Sequence, residues 1–359
     1  MTTMSDNKPT RSAQPLVSRR SLLMTLPMLP FAVRAVAQQS AAAPIAVDGI
    51  HNVGLRVSDV ERSIEFYQGL FGAQILSRVG VKVALRVGSG HQYLTLEPTR
   101  GGEAPHINHF GLTVPGISRY QLQSRLAEQG IGRTVDMHDA MREETLRRAR
   151  HSWLQRLPGD SDTMLADNHE FFMTDPDGVP IQLNHPGACG AGDSSCSPTP
   201  APAAGLIRLI EINHITTFVH NYETTNDFYR RVFGLENKAF QANFPLLDLG
   251  GTQFLMFVGG AQPGEPTQVG RLDHVSFNME DFTVESTLEL LTEYGLTPRP
   301  EDTPVEPLQH WVTLRMPERG GAPGGTPEVY FSDPDGIQLQ LQHQSYCGGG
   351  NEFGGDCSV

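Results

Sequence analysis

The sequence predicts an α+β fold made of two tandem domains, each a pair of βαβββ modules. A ten-residue phrase is written twice, as Thr174-Asp175-Pro176-Asp177-Gly178-Val179-Pro180-Ile181-Gln182-Leu183 and Ser332-Asp333-Pro334-Asp335-Gly336-Ile337-Gln338-Leu339-Gln340-Leu341. Two histidine phrases precede each copy: Ile50-His51-Asn52-Val53 answers to Asn213-His214-Ile215-Thr216, and Asn108-His109-Phe110-Gly111 to Asp273-His274-Val275-Ser276. His51 and His214 lie 163 residues apart, His109 and His274 165, Gly178 and Gly336 158. So regular a period marks a duplicated domain.

The elements follow in order. Residues 49–57 alternate as a strand does, and Val60, Ile64, Tyr67 and Phe71 carry a helical spacing that Gly72 stops. Short strand-like runs follow at 73–77, 81–87 and 93–96, after which the pattern restarts at His109, with a helix over 119–129. The second copy opens with a strand over 211–218. Asn226-Asp227-Phe228-Tyr229-Arg230-Arg231-Val232-Phe233-Gly234 then matches, without a gap, Ile64-Glu65-Phe66-Tyr67-Gln68-Gly69-Leu70-Phe71-Gly72. Strands at 244–249 and 253–258 and a helix over 284–294 complete it. One stretch breaks the symmetry: 132–168 is longer than its counterpart, and 141–157 reads as a charged, solvated helix, with a lid over a cavity as the other reading.

The domains expected are 46–190 and 206–346, with a Ser/Pro/Ala-rich linker over 191–205 and a Cys/Gly-rich tail over 347–359. Residues 1–37 read as a twin-arginine signal: Ser18-Arg19-Arg20-Ser21-Leu22-Leu23, an apolar run to Val33, and the small-residue site Ala35-Val36-Ala37. The expected location is the periplasm or the exterior, with no membrane attachment after processing. The formal charge is −13; the first 37 residues carry +4, leaving −17 on the remainder, which repels phosphate backbones and excludes nucleic acid as a partner. Cys189 and Cys196 follow the first Gln strand and Cys347 and Cys357 the second, predicting two local disulfides in an oxidising compartment; a zinc site made of all four thiolates is the less favoured alternative.

The strand His, the Phe-Tyr-x-x-x-Phe-Gly helix end, the second strand His and the Asp-Pro-Asp-Gly turn, each present twice in order, resemble the vicinal oxygen chelate superfamily of glyoxalases, bleomycin-resistance proteins and extradiol dioxygenases. The resemblance covers residues 46–343. It implies that each pair of modules curves into an incomplete barrel around a divalent metal, Fe(II) or Mn(II) before Zn or Ni. Carried over by position, the metal ligands would be His51, His109 and Gln182 in the first domain and His214, His274 and Gln340 in the second. Two imidazoles and one oxygen donor leave coordination positions open for substrate.

Both copies depart from the superfamily pattern at the last ligand, Gln in place of Glu. A neutral amide binds a hard cation less tightly, so either the metal is held weakly or another carboxylate takes part. Glu97 resembles the Glu of glyoxalases and is a candidate fourth ligand in the first domain; its counterpart Val258 cannot coordinate. Tyr330, six residues before Gly336, falls where extradiol dioxygenases place a substrate-binding Tyr; Phe172 is its counterpart, and His310 is a candidate acid or base. The bland readings stand beside these: the histidines as core residues, Gln182 and Gln340 as lining amides, Tyr330 as packing, the turn Asp residues as turn formers.

The function expected is a metal-dependent extradiol-type dioxygenase acting on a small aromatic or oxygenated compound. The alternatives are a glyoxalase-like isomerase or lyase centred on Glu97, and a non-catalytic exported protein that binds a small ligand. A small molecule is the expected partner, with homo-oligomerisation left open.

Overall fold

The computed structural model describes residues 44–133, 151–156, 169–190, 196–262, 265 and 268–357. The segment 1–37, expected to be a signal, and most of the asymmetric stretch lie outside these. Within that stretch, His151–Arg156 form a strand, so the helix expected over 141–157 does not include them.

The first repeat runs β1 (Ile50–Val57), α1 (Val60–Phe71), β2 (Ile75–Val79), β3 (Lys82–Arg86), β4 (Tyr93–Pro98), β5 (His106–Thr113), α2 (Arg119–Glu128), β6 (Gly132–Arg133), β7 (His151–Arg156), β8 (His169–Thr174) and β9 (Pro180–Asn184). The second follows the same plan: β10 (Leu209–Phe218), α3 (Tyr222–Phe233), β11 (Asn237–Gln241), β12 (Phe244–Asp248), β13 (Phe254–Val258), β14 (Arg271–Met279), α4 (Val284–Glu293), β15 (Thr297–Pro298), β16 (Gln309–Arg315), β17 (Thr326–Ser332) and β18 (Gln338–His343). Each repeat builds one open nine-stranded sheet, ordered β2-β3-β4-β1-β5-β9-β8-β7-β6 and β11-β12-β13-β10-β14-β18-β17-β16-β15. This is the α+β architecture of paired βαβββ modules.

Matching caps fix where the helices begin and end. Asp59 accepts a hydrogen bond from the backbone N–H of Arg62, and Asn221 from that of Thr224. Gly72 (φ 64°) and Gly234 (φ 71°) end α1 and α3 in the left-handed region that a side chain would resist.

One sheet face feeds a core shared by both repeats; from β1 it takes Val53, Leu55 and Val57, and from β14 Val275 and Phe277. The two repeats clasp each other through their repeated motifs. The Tyr67 hydroxyl on α1 donates to Asp333 Oδ2 (2.9 Å), and the Tyr229 hydroxyl on α3 donates to Asp175 Oδ2 (3.1 Å). Each aspartate is the first of an Asp-Pro-Asp-Gly turn, and its other oxygen accepts the turn's own N–H groups, from Asp177 and Val179 or from Asp335 and Ile337. They are turn formers, as their sequence suggests, and also struts to the opposite repeat.

Two disulfides, Cys189–Cys196 and Cys347–Cys357, close the loops after β9 and β18 as expected. Among the described residues no helix is long and apolar enough to cross a membrane.

Replacing Tyr67 or Tyr229 with Phe leaves a buried carboxyl without its hydroxyl donor and should cost about 1–3 kcal/mol of stability. Urea denaturation checks this; an unchanged midpoint in both variants would remove the clasp from the account.

Candidate metal centre

The face opposite the core carries the polar residues of both repeats. On β1 it is Asn52, Gly54 and Arg56 that alternate away from Val53, Leu55 and Val57, and Asn52 lies opposite Tyr93 of β4. On β10, His214 lies opposite Phe254, the counterpart of Tyr93. Asn52, not His51, is therefore the structural equivalent of His214. The histidines' spacing hides a one-residue slip, and in a strand one residue changes the face.

His51 makes different contacts. Its Nδ1 lies 2.9 Å from Thr113 Oγ1 and its Nε2 donates to the backbone oxygen of Ala188 at 3.0 Å, on the disulfide loop. Burial holds it well below the ordinary histidine range, at about 4. Asn213, its true counterpart, does the same job in the second repeat, donating to the backbone oxygen of Tyr346 at 2.7 Å. His51 thus fastens a loop and is no metal ligand.

In the second repeat the structure does assemble the expected set. His214 on β10, His274 on β14 and Gln340 on β18 share one face, with Ser276 pairing His214 on one side and Gln340 on the other. The imidazole centroids of His214 and His274 are 5.5 Å apart and nearly perpendicular at 82°. Each ring is oriented through Nδ1: that of His214 donates to Asn213 Oδ1 at 2.7 Å, that of His274 to Asp273 Oδ2 at 3.0 Å. This leaves Nε2 as the donor atom, with the outer hydrogen bond that metal-bound histidines characteristically make. Burial and then the His274 ring hold His214 well below its usual pKa, so it is a neutral donor. Burial would raise Asp273, but the hydrogen bond from His274 and the nearby Arg271 keep its carboxyl below the usual range. Gln340 is 1% exposed, and its Oε1 faces the His214 ring and has no other hydrogen-bond partner among the described residues. A buried acceptor so placed beside two imidazoles is what a cation would satisfy. Among the described residues no group of three or more His, Cys, Asp or Glu could hold a metal ion; the third donor here is an amide. The residues present nonetheless fit a divalent ion.

Aromatic rings wall this site. His214 stacks on Phe254 at 4.4 Å and on Tyr346 at 5.7 Å, while Tyr330 meets His274 edge-on at 5.3 Å and stacks on Trp311 at 5.6 Å. Burial, and then Glu328, push the Tyr330 phenol well above its usual pKa, so it remains a proton donor. Glu328 is committed elsewhere: Oε1 accepts from Arg315 Nε (3.0 Å) and the Tyr346 hydroxyl (3.1 Å), so it does not replace the missing ligand carboxylate. His310 does not reach the site. Next to Trp311 on β16, it faces the other way, with its Nε2 3.0 Å from Thr292 Oγ1 of α4, and the acid or base role expected for it has no geometry.

The first repeat closes its equivalent site with its own atoms. Asn52 Nδ2 donates to Gln182 Oε1 at 2.8 Å and lies 3.4 Å from His109 Nε2, bridging the two groups a cation would bridge. Asn184 in turn donates to Asn52 Oδ1 at 2.8 Å. The His109 ring lies over Gly54, where an added Cβ would stand 2.0 Å from the ring. Glu97 pairs with Arg56 (2.8 Å) and lies 3.8 Å from Lys82 Nζ, so it is no fourth ligand. Burial first, then the charges of Lys82 and Arg56, lower His109 to about 3. Two cations and a donor amide make this a site that rejects a metal, and the Glu97-centred isomerase loses its ligand set with it. The slip could have been found in the sequence: the gapless helix match runs at 162, and carried back to the first strand it sets Asn52 against His214.

Residues 49–148 match the family model described as the Glyoxalase/Bleomycin resistance protein/Dioxygenase superfamily. No curated protein matches the chain. Among solved structures, the 2,3-dioxygenase LapB from Pseudomonas sp. KL28 is 17% identical, with 83% of this chain and 93% of that one covered at a TM-score of 0.52. Homoprotocatechuate 2,3-dioxygenase from Arthrobacter globiformis is 13% identical, with 85% and 82% covered at 0.56. A catechol 2,3-dioxygenase is 16% identical, with 82% and 87% covered at 0.52. The likeness is one of fold.

Because the folded His109 ring protonates only near 3 while an unfolded one takes its proton near 6.5, wild-type stability should fall relative to His109→Gln as pH drops from 6.5 towards 3, by about 1.4 kcal/mol per pH unit. Denaturation midpoints of both proteins at pH 7, 6, 5 and 4 check it; a pH-independent difference would place the ring in a protonatable setting.

Proposed function

We propose that this chain, which matches the glyoxalase, bleomycin resistance protein and dioxygenase family model over residues 49–148 and shares its fold with 2,3-dioxygenases, is a divalent-metal-dependent enzyme with one centre, His214, His274 and Gln340, of the extradiol ring-cleaving kind. The observation that carries this reading is the buried Gln340 Oε1, which has no partner but the His214 ring among the described residues, beside two imidazoles whose Nδ1 atoms are already fixed. His214 and His274 would hold the ion through Nε2 and Gln340 through its amide oxygen. A divalent ion there supplies Lewis-acid charge to a substrate's oxygens and, if it is Fe(II) or Mn(II), redox chemistry. A neutral ligand set leaves that charge undiminished, which favours an ionised diol over a neutral compound.

The chain's own groups do the rest. The Tyr330 hydroxyl, kept protonated by burial and Glu328, donates to a substrate oxygen or gives up its proton to a leaving one. The Trp311 and Tyr330 rings offer a flat wall to an aromatic substrate. Tyr346 stands over His214, so a substrate must move its ring aside, and the loop that carries it. Export by the twin-arginine route into an oxidising compartment is part of the same proposal, supported by the two disulfides.

Folded protein loaded with Fe(II) or Mn(II) should bind about one ion per chain and, in the presence of dioxygen as the oxidant, convert catechols to yellow ring-opened products with one dioxygen consumed per catechol. His274→Ala should abolish both, and Asp273→Asn should weaken metal binding roughly 10- to 100-fold. His51→Ala should leave metal content unchanged. Metal analysis and absorbance assays check these; a metal-free protein, or turnover equal in His274→Ala, would overturn the reading.

A further inference from the structure

The two repeats differ most at one position in the loop behind each Gln strand. Ala188 and Tyr346 each fall six residues after the Gln, and each has its backbone oxygen tied to the first strand, by His51 and by Asn213. In the second repeat the Tyr346 side chain is 1% exposed; its hydroxyl donates to Glu328 Oε1 (3.1 Å) and accepts from Gln241 Nε2 (3.1 Å). A phenol supplied by the chain itself fills that cavity.

In the first repeat the same position is alanine, and no phenol is supplied. A cavity of about 490 Å³ opens there, lined by Tyr93, Glu170, Gln182, Ala188 and Gly190 among others. Glu170 is the counterpart of Glu328, two residues before Phe172 as Glu328 is before Tyr330. It is 4% exposed. Its Oε1 accepts from Gln182 Nε2 (2.8 Å) and from Lys82 Nζ, while Oε2 has no hydrogen-bond partner among the described residues. The hydroxyl of fully buried Tyr93 accepts from the backbone N–H of Gly190 and has no acceptor for its own proton among the described residues. Unsatisfied buried polar groups are costly, and both of these belong to residues that line the cavity. The other repeat shows what would satisfy the glutamate: there the Tyr346 hydroxyl donates to Glu328.

We propose that the first-repeat cavity is a metal-independent binding site for a small phenol, whose ring takes the volume that the Tyr346 ring fills in the second repeat and whose hydroxyl donates to Glu170 Oε2. The Tyr93 hydroxyl donates in turn to the phenolic oxygen. Selectivity follows from the missing donor: an apolar ring of the same size satisfies neither oxygen. Asn52, Lys82 and Arg56 keep metal chemistry out of this repeat, so the ligand is held and not transformed.

The probe is p-cresol, titrated into the full chain in the presence of a chelator and followed by calorimetry and ligand-observed NMR. One saturable site per chain is expected, with toluene at least ten times weaker. Glu170→Gln should weaken p-cresol at least tenfold, and Ala188→Tyr, which supplies the chain's own phenol, should abolish binding while circular dichroism and the melting temperature show a folded protein. His274→Ala should bind p-cresol as the wild type does, which separates this site from the metal centre. No saturable binding at millimolar p-cresol, equal affinity for toluene, an unchanged affinity in folded Ala188→Tyr, or loss of binding in His274→Ala would each overturn the proposal.

Discussion

Everything distinctive in this molecule depends on the register of one strand in each half. The caps Asp59 and Asn221 fix where α1 and α3 begin, and counting back from them decides which side chain of β1 or β10 crosses to the polar face. In one half that side chain is an imidazole, in the other an amide. Because strand side chains alternate, no adjustment of a ring angle lets His51 replace Asn52; it would need the whole strand to slide and its core residues to leave the core.

Electrostatics reinforces what register decides. The second half gathers two imidazoles, a carboxylate behind one of them and an amide oxygen with no partner but the His214 ring among the described residues. The first half gathers Arg56 and Lys82 against Glu97 and Glu170, a compensated set that leaves no net attraction for a cation. The duplicated scaffold is thus used twice for opposite purposes, one polar face kept open to charge and the other sealed against it.

Much of the architecture was legible. Repeated phrases, helix spacing and stop glycines located the four modules, because periodicity and capping are local properties written in adjacent residues. The second-half set His214, His274 and Gln340 was legible for the same reason. His51 misled because a shared histidine outweighed a one-residue offset, and His310 because neighbours on a strand point to opposite faces and only pairing reveals which. The partners of Glu97 were hidden, since Arg56 and Lys82 reach it only through strand pairings distant in sequence. Nor could the chain order reveal that the Phe-Tyr helix of one half would meet the Asp-Pro-Asp-Gly turn of the other.

That crossed clasp has a bearing on ancestry. The hydroxyl of Tyr67 reaches Asp333 and that of Tyr229 reaches Asp175, so the same contact is made twice in reciprocal fashion. Reciprocity of this sort is the signature of an isologous interface, the surface that two identical chains present to one another about a twofold axis. A single-copy forerunner that paired with itself would already have possessed the seam that now runs through the middle of this polypeptide. Fusion of its genes would then have freed the polar faces of the two halves to diverge, one keeping a histidine pair and the other an amide in its place.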